Sequence, residues 1–131
     1  MPENFSLIKK TLRKNPALEI RQSDVHRWGV FTKEQINKHD LLEESPYFEV
    51  PNNQIESAPE CERYSYWLTD SSYLIGMGYA GLYNHSGLPN ASYEIDYVNQ
   101  VIRHYSILQI EADQEITLDY GKHNADLFLS N

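Results

Sequence analysis

The stretch Tyr83–Asn90, YNHSGLPN, decides how the chain is read. Asn84 and His85 stand at the head of a turn closed by Gly87, Pro89 and Asn90, residue types that bend the backbone and leave polar groups free to face a ligand. A second stretch, Ile116–Gly121, reads ITLDYG and ends in Tyr120, a side chain able to point into a cavity. These two segments, far apart in sequence, are expected to meet in space and build one site. The remainder reads as the scaffold for that meeting.

Downstream of the turn, ASYEIDY alternates apolar and polar positions, Asn99 and Gln100 make a turn, and VIRHYSIL alternates again, which predicts a hairpin. EADQE is a polar turn, ITLDYG a short final strand, and the tail KHNADLFLSN carries Leu127, Phe128 and Leu129, apolar enough to fold back on the body. Upstream, ERYSYWLTDSSYLIGMGYAG crowds Tyr64, Tyr66, Trp67, Tyr73 and Tyr79 together. Ten tyrosines against four phenylalanines suggest that the hydroxyls matter, because a purely apolar core would not need them. Pro51 through Glu62 is rich in breakers and reads as a surface loop, and LLEESPYFEV as a strand broken by Pro46. Lys33–His39 is a turn, DVHRWGVF places Gly29 where backbone can approach a ligand closely, and Ala17–Ser23 alternates as the first strand. Residues 1–16 form a basic arm or short helix ending before Pro16. Short, evenly spaced strand signals predict a mostly β domain of several small, twisted sheets.

At 131 residues the chain fits one domain with a single core. No run approaches the roughly 18 apolar residues of a membrane span, and the N-terminus lacks a secretory core, so an intracellular protein, cytoplasmic or nuclear, is expected. The lone Cys61 excludes an intramolecular disulfide and a cysteine-based zinc cluster. The net charge of −8 argues against nucleic acid, which needs clustered Lys and Arg, and favours encounters with basic partners.

Few chemistries survive inspection of the motifs. A serine hydrolase needs its nucleophile on a glycine-flanked elbow with a distant histidine, whereas Ser86 adjoins His85. His26, His39, His85, His104 and His123 are isolated from one another, so no metal site is expected, and no phosphate-binding Gly-rich loop is present. An Asn-His turn and a terminal Asp-Tyr-Gly lack a strong base and suit a reaction in which positioning does most of the work.

With those residues in view, YNHSGLPN and EITLDYG resemble the two signature motifs of the SET-domain protein lysine methyltransferases, N-H-S-C-x-P-N and E-[LI]-T-x-D-Y. RWGVFTKEQI is similar to the family's first motif, G-x-G-[VL]-F-A, and the resemblance spans roughly Leu18 to Asn124, closest to the short stand-alone bacterial and viral type. It implies a SET domain over 17–124, a β-clip-like fold with a C-terminal pseudoknot, and a tail, 125–131, packing on the active site. It implies S-adenosylmethionine on one face, leaving as S-adenosylhomocysteine, and a basic, histone-like protein on the other, its lysine reaching the methyl through a narrow channel. Carried over, Arg27, Trp28 and Gly29 would meet the methionine part of the cofactor. Asn84 and His85 would hold its amino group and adenine, and Phe128 would close over the adenine or the channel. Tyr120 would be the catalytic tyrosine, also touching the cofactor, while Tyr64 or Tyr66, with Tyr93 and Leu118, would line the channel.

The implied mechanism needs a neutral lysine, although its reference pKa is about 10.4. Burial and a neighbouring sulfonium both disfavour the ammonium, so the proton can leave to water while Tyr120 orients the amine. Three departures stand out: Arg27 replaces the first glycine of the cofactor loop, Gly87 replaces a common cysteine, and Leu118 occupies a position where Phe or Tyr often sets the number of methyls. Tyr93 matches a tyrosine of some mono-methylating relatives, which leans the reading to mono- or dimethylation. A homodimer is left open by relatives that pair. The rival reading is a SET-like module without catalysis that binds basic peptides.

Overall fold

The structure is a computed structural model and describes residues 11–119. Among the described residues nine strands and two short helices follow one another: β1 (Leu18–Gln22), β2 (Trp28–Thr32), β3 (Leu41–Pro51), α1 (Asn52–Glu56), α2 (Pro59–Glu62), β4 (Ser65–Thr69), β5 (Ser72–Gly76), β6 (Asn84–His85), β7 (Ala91–Asp96), β8 (Val101–Ser106) and β9 (Glu115–Leu118). In space they run β1-β2-β9-β7-β8-β3-β5-β4, with β6 beside β9. Three small sheets result, joined because β9 and β3 each belong to two of them. The mostly β class expected from the alternating patterns is what the chain adopts.

Each hairpin follows its turn chemistry. β7 and β8 pair from Ala91↔Ser106 to Asp96↔Val101, and the turn between them is held by Asp96, whose carboxylate accepts from the Val98 and Asn99 amides. Its last residue, Gln100, takes φ 56°, and Asp113 in the polar turn before β9 takes φ 69°. The core is aliphatic: Val30, Ile36, Leu42, Leu74, Ile102, Ile110, Ile116 and Leu118 are closed off from solvent.

Two expectations are corrected. Pro46 does not break its strand: β3 is continuous over 11 residues. Instead Pro46 marks the place where β3 leaves β8 (Pro46↔Val101) and takes β5 as partner (Tyr47↔Gly76), so its missing N–H falls where the ladder changes hands. The stretch read as a loop, 51–62, winds into α1 and α2, with Pro59 starting α2 and Ile55 buried beneath α1. Lys33–His39 does turn, yet within it Ile36 bridges Ile110 and both are buried.

The described part of the basic arm is extended. Lys14 bridges Glu43 on the edge of β3, and its ammonium lies 3.8 Å from the centre of the Tyr79 ring. The segment implied to form the pseudoknot, and the tail 125–131, lie outside the described residues. No helix among those described is long and apolar enough to cross a membrane.

Candidate active site

The stretch YNHSGLPN is stitched to β9 at both ends. β6 runs parallel to β9, with Asn84 opposite Thr117 and His85 opposite Leu118, and the Ser86 amide donates to the Leu118 carbonyl at 2.9 Å. At the far end Asn90 is buried and acts as a piece of strand: its amide nitrogen donates to the Glu115 carbonyl and its amide oxygen accepts from the Thr117 N–H, both at 2.9 Å. The expected meeting of the two motifs is therefore a seam of backbone and asparagine side chains, in which Asn84, His85, Ser86 and Asn90 meet Glu115, Thr117 and Leu118.

The third motif joins them. The Asn84 side-chain nitrogen lies 3.2 Å from the carbonyls of both His26 and Trp28 and 2.7 Å from the Glu115 carboxylate. Arg27, between those carbonyls, takes φ 40°, the left-handed conformation a glycine adopts without cost. An arginine in the glycine slot thus keeps the glycine's backbone path.

A cleft of about 330 Å³, including its open mouth, lies against this junction. His26, Arg27 and Arg63 make its basic side; Trp28, Tyr64 and Leu82 its aromatic and apolar side; Gly81 and Asn84 the remainder. No acidic side chain among the described residues lines it, in a chain of net charge −8. Such a lining suits a ligand with a flat or apolar body and an anionic group.

Of the residues grouped as a lysine channel, Tyr66 and Tyr93 pack on each other, apart from the cleft that Tyr64 faces. Tyr64 faces the cleft with Arg27, Trp28 and Asn84. Tyr66 is only 4% exposed, and its hydroxyl lies 2.6 Å from the Ala80 carbonyl and 2.8 Å from His104 Nε2. Tyr93 packs edge-on against Tyr66, ring centres 4.7 Å apart. Burial, then the neighbouring Asp119 and Tyr97, push the Tyr93 phenol up to about 12, so it stays protonated. Leu118 is buried in the core. Tyr120 and Phe128 lie outside the described residues, while Gly29 is buried in β2 and His85 exposed in β6.

Behind these rings is a polar core that the sequence did not announce. Tyr83 stacks on His104 with centres 4.4 Å apart and donates to the Glu43 carboxylate at 2.8 Å; burial and that carboxylate push its phenol well up. Glu43 also accepts from the Tyr79 amide at 2.9 Å. Burial pushes the His104 imidazole down to about 3, so it is neutral. Since Tyr66 gives its one proton to the Ala80 carbonyl, His104 Nε2 must carry a proton and donate to the Tyr66 oxygen. Its Nδ1 then has no partner among the described residues.

Sequence reasoning passed over Glu115, Asn90, Arg63 and His26. Asn90 reads only as a turn residue and Glu115 only as part of its motif, and Arg63 and His26 carry no spacing signal.

A fold of this seam and cleft has known relatives. The SET domain family matches residues 27–121, and the chain belongs to it. It is 27% identical over 109 residues to a Schizosaccharomyces pombe histone-lysine N-methyltransferase specific for H3 lysine-37, covering 81% of this chain and 74% of that protein. It is 33% identical over 130 residues to a Neurospora crassa histone-lysine N-methyltransferase specific for H3 lysine-4, covering 88% of this chain but only 10% of that much longer protein. A solved Plasmodium falciparum structure described as a candidate histone methyltransferase superposes with a TM-score of 0.71 at 32% identity, covering 84% of this chain and 96% of that one.

Proposed function

We propose that this chain is a protein-lysine N-methyltransferase that takes its methyl group from S-adenosylmethionine and acts on a lysine of a basic protein, with histone tails the first class to test. The observation that carries the reading is the parallel pairing of β6 with β9, which holds the NHS motif against the strand that leads to Tyr120, while Asn84 of that motif shares one cleft with the RWG loop. The relatives named for histone-lysine methylation support the same activity.

The cleft's lining fits the cofactor's chemistry. Trp28, Tyr64 and Leu82 offer aromatic and apolar surface, and the Arg27 and Arg63 guanidiniums suit a carboxylate. When bound, S-adenosylmethionine supplies an electrophilic methyl on a sulfonium. The protein's part is to present a neutral amine. Tyr93, half-buried and neutral beside Asp119, the residue preceding Tyr120, is the channel residue proposed to face the lysine nitrogen without adding charge. Exclusion of water around Tyr93 and Leu118 disfavours the ammonium, and the proton leaves to solvent. Tyr120 remains the proposed catalytic phenol and Phe128 the proposed cover. Tyr64 is proposed to serve the cofactor side, and Tyr66 to buttress Tyr93 from behind.

The decisive experiment pairs calorimetric titration of S-adenosylmethionine with transfer of labelled methyl to core histones. Binding together with label on lysine is expected, and Tyr120→Phe should keep binding while losing most transfer. Absence of cofactor binding by a folded protein would sink the proposal. Binding without transfer to any basic protein would favour the non-catalytic peptide-binding reading.

A further inference from the structure

The loop that carries Arg27 has little hydrophobic packing of its own: Val25, Arg27 and Trp28 are exposed, and Asp24 is polar and exposed. What fixes it is a carboxylate 92 positions away. The Ser23 hydroxyl donates to Glu115 Oε1 at 2.7 Å, and the Asn84 amide donates to Glu115 Oε2 at 2.7 Å. With its proton given to Glu115, the Ser23 oxygen is an acceptor, and it collects the Val25 amide at 2.9 Å, the His26 amide at 3.4 Å and the Asn84 nitrogen at 3.1 Å. The Ser23 amide in turn donates to the Arg27 carbonyl at 2.9 Å.

Among the described residues every acceptor around the Asn84 nitrogen therefore belongs either to the loop or to Glu115, which fixes the orientation of that amide. Room for the arrangement comes from Gly29: a Cβ there would overlap the Glu115 carboxylate and stand 3.0 Å from the Asn84 nitrogen. Glu115 thus organises Ser23, the 23–28 loop and Asn84 at once, while lining no part of the cleft itself.

We propose that Glu115 is a positioning residue: its carboxylate, bridging Ser23 and Asn84, holds the 23–28 loop in the shape that binds the cofactor. The proposal rests on the methyltransferase reading for the identity of the ligand, but not for the existence of the clamp. Its loss weakens cofactor binding and leaves the transfer step and the peptide site alone.

The test uses Glu115→Ala, Glu115→Gln and Ser23→Ala, with Glu111→Gln on the exposed turn before β9 as control. The first readout is amide hydrogen exchange in the free protein at Ser23, Val25 and His26, whose N–H groups bond within the loop and never to Glu115. The second is the calorimetric Kd for S-adenosylhomocysteine, with kcat at saturating cofactor and KM for peptide measured beside it. Glu115→Ala is expected to speed exchange at all three amides and raise the Kd about tenfold or more, the scale of a lost charged hydrogen bond, with kcat and peptide KM within about twofold. Glu115→Gln keeps one acceptor for Asn84 and should fall between. If Glu115→Ala folds yet binds as tightly as the unsubstituted protein with unchanged exchange, the proposal is overturned. If it does not fold, Ser23→Ala, which leaves β9 intact, decides by the same readouts. Failure of the unsubstituted protein to bind S-adenosylhomocysteine overturns the methyltransferase reading instead, and exchange at the three amides then rules on the clamp.

Discussion

Arg27 pays for its position with backbone strain. A non-glycine residue in the left-handed region costs about 1–2 kcal/mol, partly offset because glycine would loosen the unfolded chain by about 0.4–1 kcal/mol. Arg27→Gly should therefore raise stability by about 0.5 kcal/mol in urea unfolding, while removing a guanidinium from the cleft and weakening S-adenosylhomocysteine binding. A lower urea midpoint would show that the arginine side chain stabilises the fold more than its backbone strains it. The sequence did show that an arginine fills a glycine's slot, because a motif with fixed spacing makes a substitution visible. It did not show Asn90 or Glu115 at work, because each acts by bonding backbone or side chains far along the chain, and no local pattern encodes such a partner.

At the scale of elements, β3 joins the sheets and also anchors the segment that leads into the NHS motif. Glu43, buried in β3, receives the Tyr79 amide and the Tyr83 hydroxyl, and Gly78, at φ 69°, leaves space for it: a Cβ there would stand 2.6 Å from its carboxylate. Glu43→Ala removes the carboxylate that accepts from the buried Tyr83 hydroxyl and the part-buried Tyr79 amide and should cost about 2–3 kcal/mol, whereas Glu43→Gln keeps one acceptor and should cost clearly less. Equal unfolding midpoints for the two variants would exclude the carboxylate as the anchor. Strand positions were legible because alternation at period two is written locally. The continuity of β3 was not: whether a proline interrupts a strand depends on which neighbour faces its nitrogen, and that neighbour is set by tertiary pairing. The helical turns at 52–62 escaped for a similar reason, since polar residues and two prolines mask the single buried Ile55.

Over the whole molecule, two buried groups give the acid response distinct limbs. His104 titrates near 6.5 when unfolded but is held down to about 3 in the fold by burial. Between those values the unfolded chain binds a proton that the folded chain does not. Stability should therefore fall as pH drops below about 6.5, by up to about 1.4 kcal/mol per pH unit. Glu44 behaves differently. Burial pushes its carboxyl up, but hydrogen bonds from Arg13 and Arg103 more than offset this and hold it low. Its contribution is present above its ordinary value of 4.5 and is lost only as pH falls further. Urea midpoints across pH 4.5–7 should slope for the unsubstituted protein and flatten in His104→Gln. A slope that survives that substitution would place the titrating group elsewhere.

The strand that braces the 23–28 turn is also the last one described. β9 brings Glu115 to a serine 92 positions earlier and gives β2, β6 and β7 their shared neighbour. A nascent polypeptide released from the ribosome only as far as Gln114 has its first hairpin but nothing to hold the 23–28 turn in place. Translation must run past that point before the carboxylate that braces this turn exists, however well the earlier strands have folded.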